Sequence, residues 1–369
     1  MSIEDFLFAT EDTEFNSYVK NFNETATRTY EVEKVSHNFK RYNINYLISR
    51  LSLFNTQYAD LIATDNKQDL YHSFKIPKKS GGLRQIDAPN EELKSALTIL
   101  KGIFEEQFGA LYHTSAFAYI KGRCTLDAVK KHQQNDSMWY GKYDLSNFFG
   151  NTNPDYVIKM LGMIYPFNEV IANPQGNAEL RKSLSLAFLN GGLPQGTPLS
   201  PLITNLIMIP VDYKLTNMLS DFGKQKFIYT RYADDFIISS RYNFNFRKIE
   251  DTIVSVLAEF GAPFSINSKK TRYGSRAGRN WNLGIMLTAD NQITIGNKKK
   301  RQFETMLFNY AMDAKNGVAW AKDDVQHMEG LRAYYRMIEG ETIDRIVAHI
   351  SQKTNVDIMS SIKSDLGRK

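Results

Sequence analysis

The segment Phe227–Ser239, FIYTRYADDFIIS, constrains this chain more than any other stretch. Two strongly apolar runs flank Ala233-Asp234-Asp235, a pattern that reads strand, tight turn, strand. Runs this apolar belong to strands central in a sheet, so the acids stand at the rim of a buried layer. Asp144 is placed in the same way, closing the aromatic-rich strand Trp139–Leu145 within WYGKYDLSNFF. An Asp at a turn commonly does no more than cap the backbone. Unpaired acids at the ends of buried strands nevertheless cost stability unless something positive joins them. Two magnesium ions about 3.5–4 Å apart would do so, and hard oxygen ligands are what Mg²⁺ requires.

The rest of the chain alternates helix and short strand. Residues 1–70 read as mostly helical and polar, with apolar spacing at Tyr46, Leu47, Leu51 and Leu53. In Tyr71–Pro89 two short alternating runs flank Ser80-Gly81-Gly82, the pattern of a β-hairpin. Helices are expected over 91–108, 125–135 and 247–260, two more around a polar loop in 154–190, and one over about 198–220. Short strands follow to about 295, and the remainder reads as helical. There Met328, Leu331, Tyr335 and Ile338 form one stripe, and Ile343, Ile346, Val347 and Ile350 another. Both stripes are read as core packing.

With 42% hydrophobic residues in 369, the chain can bury a sizeable core in two or three lobes. The single cysteine, Cys124, excludes an internal disulfide framework and a Cys-rich zinc site. No stretch reaches the roughly 18 apolar residues that span a bilayer, and the acidic start lacks the layout of a secretory signal. The expectation is a soluble protein of the reducing cytoplasm, with no membrane partner. Forty-six basic against forty acidic side chains give a formal charge of +6. The excess clusters at Lys75–Lys79, Lys121–Arg123, Lys269–Arg279 and Lys298–Arg301, beside the motifs below. One such cluster alone reads as a solvated face; their placement is compatible with nucleic acid.

Tyr232-Ala233-Asp234-Asp235 resembles the YxDD motif of reverse transcriptases. Asp144-Leu145-Ser146-Asn147-Phe148-Phe149 looks like the family's first catalytic motif, with an aromatic five positions after the acid. Between them, Gly192-Leu193-Pro194-Gln195-Gly196-Thr197-Pro198-Leu199-Ser200-Pro201 resembles the LPQG segment almost letter for letter. Order and separations also agree. The resemblance implies an α+β right-hand polymerase: a palm built on an antiparallel sheet flanked by helices, helical fingers with a β-hairpin, and a helical thumb. The boundaries it suggests are an N-terminal helical extension at 1–70, fingers at 71–139, palm at 140–295 with finger helices inserted at about 154–190, and thumb at 296–369.

The same resemblance carries roles onto matching positions. Asp144 and Asp234 would hold two Mg²⁺ ions (Mn²⁺ being an acceptable substitute), with Asp235 supporting them and the Leu145 carbonyl as an extra ligand. Lys78 and Arg84 of the fingertip hairpin would grip the triphosphate. Phe149 would sit beneath the sugar and reject a 2′-hydroxyl, although a plain core aromatic beside Phe148 is the alternative. Gln195 would contact the nucleotide or the templating pair. Asn267–Thr271 is similar to the palm motif whose lysine protonates pyrophosphate, here Lys270. Arg123, Gly196 and Tyr232, with Leu283 and Gly284 in a segment similar to the primer grip, would face nucleic acid.

The hairpin, the YADD turn and the compact thumb look most like the bacterial retron and phage-defence group. Asp127-Ala128 and His132 stand near the place of that group's NAxxH block, with the histidine one position too far. His132 is read as structural or RNA-facing. The implied partners are an RNA template (a cognate noncoding RNA), a DNA or RNA primer, dNTPs, and either a second copy or an accessory defence protein. Two alternatives stay open: a nontemplated or protein-primed DNA polymerase of a defence system, and an inactive RNA-binding scaffold. A viral-type RNA polymerase would show an acid in place of Phe149 and Gly-Asp-Asp at the turn.

Overall fold

The computed structural model describes residues 44–77, 81–108, 112–222, 225–277 and 281–367. They form two compact units. The first comprises residues up to Arg123, Gly141–Ile238 and Phe244–Tyr273; the second comprises Cys124–Tyr140, Ser239–Asn243 and the chain from Gly274 onward.

In the first unit, helix α1 (Ile44–Gln57) buries Leu47, Ile48, Leu51, Phe54 and Asn55, a single stripe at helical spacing. Tyr46 and Leu53 do not belong to that stripe and are exposed, at 49% and 65%. The sequence reading placed them on the wrong arc. Strands β1 (Tyr71–Pro77) and β2 (Leu83–Pro89) pair antiparallel, from Tyr71 opposite Pro89 to Pro77 opposite Leu83. Gly81 and Gly82 carry the positive φ that reversal of the hairpin requires. Helix α2 (Glu91–Phe108) starts at Asn90, whose side chain accepts from the Leu93 N–H at 2.8 Å. It buries Leu93, Ala96, Leu97, Leu100, Ile103 and Phe104.

A four-stranded sheet has the order β4-β5-β3-β6, where β3 is Trp139–Asp144, β4 Phe227–Tyr232, β5 Asp235–Ser240 and β6 Arg272–Ser275. The chain returns between β4 and β5 in two residues, Ala233 and Asp234, as the apolar pattern required. After β3 comes the short helix α3 (Phe148–Asn151). The span 154–190 holds three helices rather than two (Pro154–Leu161, Phe167–Ala172 and Pro174–Leu184), followed by a 3₁₀ turn. Pro166 and Pro174 interrupt the backbone ladder, and the Asn173 side chain caps the new start at Gly176 N. The single helix expected over 198–220 is also two, α4 (Ser200–Ile207) and α5 (Ile209–Ser220). Pro210 has no N–H for the Leu206 carbonyl, so the ladder breaks at Met208. Helix α6 (Phe246–Glu259) begins at the capping residue Asn245.

The second unit contains the helix Thr125–Gln134 and a three-stranded antiparallel sheet, β7 (Trp281–Asn282), β8 (Ile285–Leu287) and β9 (Ile293–Thr294). Helices α7 (Asn297–Lys315), α8 (Lys322–Thr354) and α9 (Ile358–Gly367) follow. Both stripes of the sequence reading lie in α8 and do pack a core. Met328, Tyr335, Ile343, Val347 and Ile350 are buried with Phe303, Leu307 and Tyr310, and Leu331, Ile338 and Ile346 pack against them. Helix α8 kinks at Glu339. The Glu339 carboxylate accepts from the Ile295 N–H (2.7 Å), Thr294 Oγ1 (2.9 Å) and Lys300 Nζ (2.6 Å), which ties the kink to the end of β9. His132, in the same unit, is buried with Nδ1 2.6 Å from Ser239 Oγ, a structural placement.

Candidate active site

Strand β3 delivers Asp144 to the rim of the sheet beside the β4–β5 turn. The Leu145 N–H donates to the Asp234 carbonyl at 3.1 Å, so the backbones of the two expected metal-binding residues are joined directly. On the other side the Asn267 N–H donates to the Asp144 carbonyl at 2.7 Å, and Leu145 bridges antiparallel to Ile266. That pairing brings the Asn267–Thr271 turn underneath. From it Lys270 extends Nζ to within 2.9 Å of Asp144 Oδ2.

Asp144 itself is only 8% exposed, and its Oδ1 is a buried oxygen with no hydrogen-bond partner. A carboxylate oxygen left in this state costs stability, unless a cation completes it. The neighbouring acids show the same shortage of positive charge. Burial pushes the Asp234 carboxyl above its ordinary range, the Asp144 charge adds to the rise, and Lys270 and Arg84 oppose it. Burial also lifts Asp235 to about 6, reinforced by Asp234 and Asp144 and opposed by Lys270 and Lys142. Lys142, two residues before Asp144 on β3, is lowered by burial to about 8, with Asp235 pulling the other way.

The donor set is therefore hard, anionic and under-neutralised, which suits Mg²⁺. Among the described residues no three His, Cys, Asp or Glu side chains converge as a closed cage. An open set of two or three oxygens is what a magnesium ion takes when water and substrate phosphate complete its shell.

The LPQG loop packs between the segment that follows Asp144 and strand β2. The Leu193 N–H donates to the Phe149 carbonyl at 2.9 Å, and the Asp87 N–H of β2 donates to the Gln195 carbonyl at 2.8 Å. Two glycines make this close approach possible. A Cβ on Gly192 would strike the Gly150 carbonyl, and one on Gly196, at φ +123, would lie 3.0 Å from both the Asp87 carbonyl and Ile86. The loop thus touches the Phe149 backbone at Leu193 and the β2 backbone at Gln195, with Phe149 buried. Arg84 lies on β2 opposite Ile76, is exposed, and its charge reaches Asp234. Lys78 lies outside the described residues.

Tyr119 also belongs to this neighbourhood. It sits at φ +60, uncommon for a bulky residue, and is 55% exposed. Partial burial raises its phenol, as do the charges of Asp234 and Tyr232, while Arg84 lowers it. Tyr232, at the end of β4, is half-buried.

Arg123 is placed differently from the nucleic-acid-facing role that the resemblance implies. Its guanidinium donates to the carbonyls of His113 (2.6 Å), Ala116 (2.7 Å) and Tyr112 (3.4 Å) and clamps the 112–123 loop on itself. Leu283 and Gly284, both at positive φ, form the β7–β8 turn of the second unit.

One cluster escaped the sequence reading altogether. Arg231 and Asp212 are buried side by side, Nη2 to Oδ2 at 2.7 Å and Nε to Oδ1 at 2.8 Å. The signal was available: an arginine on the inward phase of an apolar strand, and an aspartate in the apolar helix run MIPVDYKL.

The family model described as Reverse transcriptase (RNA-dependent DNA polymerase) matches residues 76–306. Retron Ec83 reverse transcriptase of Escherichia coli is 27% identical over 80% of this chain and 91% of its own. Retron Ec73 reverse transcriptase, also of Escherichia coli, is 31% identical over 61% of this chain and 71% of its own. Retron Mx65 reverse transcriptase of Myxococcus xanthus is 25% identical over 75% of this chain and 63% of its own. Among solved structures, apo telomerase from Candida tropicalis is similar at a TM-score of 0.47 and 13% identity, over 86% of this chain and 66% of that one.

Proposed function

Because the chain belongs to the reverse transcriptase family, of the bacterial retron type and RNA-directed in its DNA synthesis, we propose that Asp144 and Asp234 are the acids at which it extends a 3′-hydroxyl with dNTPs. The observation that carries this reading is the pairing of the two acids through the Leu145–Asp234 backbone bond, with one buried Asp144 oxygen left unsatisfied. Two divalent ions, Mg²⁺ with Mn²⁺ as substitute, would be held by Asp144 and Asp234 with the Leu145 carbonyl, and would supply acidification of the attacking hydroxyl and neutralisation of phosphate charge. Asp235 supports the pair from the first position of β5.

The remaining roles belong to this chain's own side chains. Arg84 and Lys78 grip the triphosphate, the arginine offering a planar fork and the lysine a point charge. Phe149 lies under the sugar and disfavours a 2′-hydroxyl, Gln195 meets the nascent pair, and Gly196 lets the backbone approach. Lys270 stands on Asp144 in the free protein and donates a proton to the departing pyrophosphate. Tyr232, Leu283 and Gly284 contact primer and template, while Arg123 holds the 112–123 loop. Fingers at 71–139, palm at 140–295 and thumb at 296–369 divide this labour. The retron relatives support a retron-like setting, and within it we assign the chain a cognate noncoding RNA, a cytoplasmic location and a part in antiviral defence. Among the described residues no helix is long and apolar enough to cross a membrane.

Primer extension by purified protein with Mg²⁺, an RNA template and labelled dNTPs or rNTPs tests the reading. The Asp234→Ala/Asp235→Ala variant runs beside it, and parallel reactions omit template or primer. Template-dependent dNTP incorporation that the variant loses is the expected result. Incorporation without template points to a nontemplated polymerase. No incorporation, even with co-purified RNA, leaves an RNA-binding scaffold.

A further inference from the structure

Near the site, Ala233, at φ +57, and Tyr119, at φ +60, hold backbone conformations that side chains other than glycine rarely adopt. Each costs about 1 kcal/mol or more and persists only where the surroundings over-determine it. The carbonyls that border these residues lead to one buried group. Arg231 Nη1 donates to the Ala233 carbonyl (3.3 Å) and to Asn205 Oδ1 (3.0 Å), and Asn205 Nδ2 donates to the Ala118 carbonyl (2.7 Å). The guanidinium is fixed in turn by Asp212, whose Oδ1 also accepts from Tyr229 Oη at 2.7 Å. Backbone bonds close the frame: Arg231 N–H to the Ser115 carbonyl (2.6 Å) and Phe117 N–H to the Arg231 carbonyl (2.9 Å). Arg231, Asp212 and Asn205 are each 1% exposed or less.

A buried ion pair is weak grounds for stability, because apolar side chains of the same volume commonly serve as well. A planar fork with fixed directions supplies something apolar packing cannot. Here one face of it neutralises Asp212, and the other reaches the carbonyl immediately before Asp234. We propose that the Arg231–Asp212–Asn205 cluster is a positioning bracket. It sets the Asp234 carboxylate against Asp144 and, through Asn205, sets the Tyr119 loop against the same turn. None of the three is itself a catalytic residue; they act through Ala233 and Ala118.

The test uses Arg231→Lys, which keeps the charge opposite Asp212 and loses the fork. Beside it runs Leu93→Ala, a core truncation in α2 chosen to match its loss in Tm. Two readouts are taken on the whole chain. In metal-free protein, hydrogen exchange at the Leu145 amide reports the turn directly, since that N–H is bonded to the Asp234 carbonyl. The second readout is the kcat and KM for dNTP in primer extension.

The bracket predicts that Arg231→Lys speeds Leu145 exchange about 10-fold beyond neighbouring amides, a local opening. It also predicts a kcat lower by about 100-fold with little change in KM, the effect of a small misplacement of a reacting group. Leu93→Ala should show neither. Uniform acceleration of all amides in both variants, or kcat kept within about 3-fold in Arg231→Lys, overturns the bracket. So does a loss of kcat with Leu145 exchange unaltered. The kinetic readout rests on the polymerase reading above, and the exchange readout does not. A wild-type protein that fails to polymerise therefore sinks that reading while the bracket is still decided by exchange.

Discussion

The β4–β5 turn of the first unit and the helical core of the second are held by different physics. Around α7, α8 and α9, Phe303, Leu307, Met328, Ile343 and Ile350 are buried against one another with no direction to respect. Around the turn, position is set by directed polar contacts: the Leu145 N–H on the Asp234 carbonyl, Lys270 on Asp144, and Arg231 on the Ala233 carbonyl. Apolar burial scales with area and tolerates small rearrangement. A buried polar group tolerates little, because a lost partner leaves the full desolvation cost. The first region therefore stores geometry, and the second stores stability.

The sharpest way to break this contrast is to remove the acids. Asp234→Ala/Asp235→Ala should lower primer extension by about 10³-fold or more, since each acid supports ion binding worth several kcal/mol in the transition state. Metal-free thermal unfolding at pH 8 should show the same variant at least as stable as wild type, because burial opposes ionisation of both acids. A large loss of stability there would mean that the turn is a structural element first.

The opposite test is Leu307→Ala, at a fully buried position of the helical core. It should cost about 2–5 kcal/mol in urea unfolding. Activity per folded molecule should stay within a small factor, as measured after correction for the active fraction. Loss of kcat out of proportion to unfolding would erase the division between the regions.

Phe149→Ala sharpens the comparison within the site. The ring is buried next to the LPQG loop, and as a sugar gate its loss should narrow dNTP-over-rNTP discrimination by about 10–200-fold. Unchanged discrimination with reduced stability would return Phe149 to a plain core role.

The smallest expected effect is in pH. The folded-state value for Asp235, about 6, lies above its ordinary 3.8. The native state then holds a proton that the unfolded chain has released. The resulting stability is fully present below about 4 and is lost as pH rises through 6. The residue keeps an exposed surface although its neighbours desolvate the carboxyl, so solvent screening keeps the effect to about 1 kcal/mol or less. Metal-free Asp235→Asn should show a flatter Tm between pH 4 and 7, and saturating Mg²⁺ should flatten the wild-type curve as well.

Local pattern along the chain accounts for the elements and for where Asp144 and Asp234 stand on them. Apolar alternation on either side of Asp234 demands a hairpin, period-3.6 stripes demand α8, and Gly81-Gly82 demands a reversal between β1 and β2. Those are local facts, governed by residues a few positions apart. Where proline cut a helix, at Met208 and before Pro174, the same local rules applied and the sequence reading did not apply them. At Tyr46 and Leu53 it drew the apolar arc two positions too wide. Long-range packing is what makes Arg231 meet Asp212 and Asn205, Arg123 spend its donors on its own loop, and Lys270 stand on Asp144. Each of these joins groups that chain spacing does not make neighbours. The pairing of buried charges is set by which surfaces the folded layers bring together, and composition and period carry no record of that.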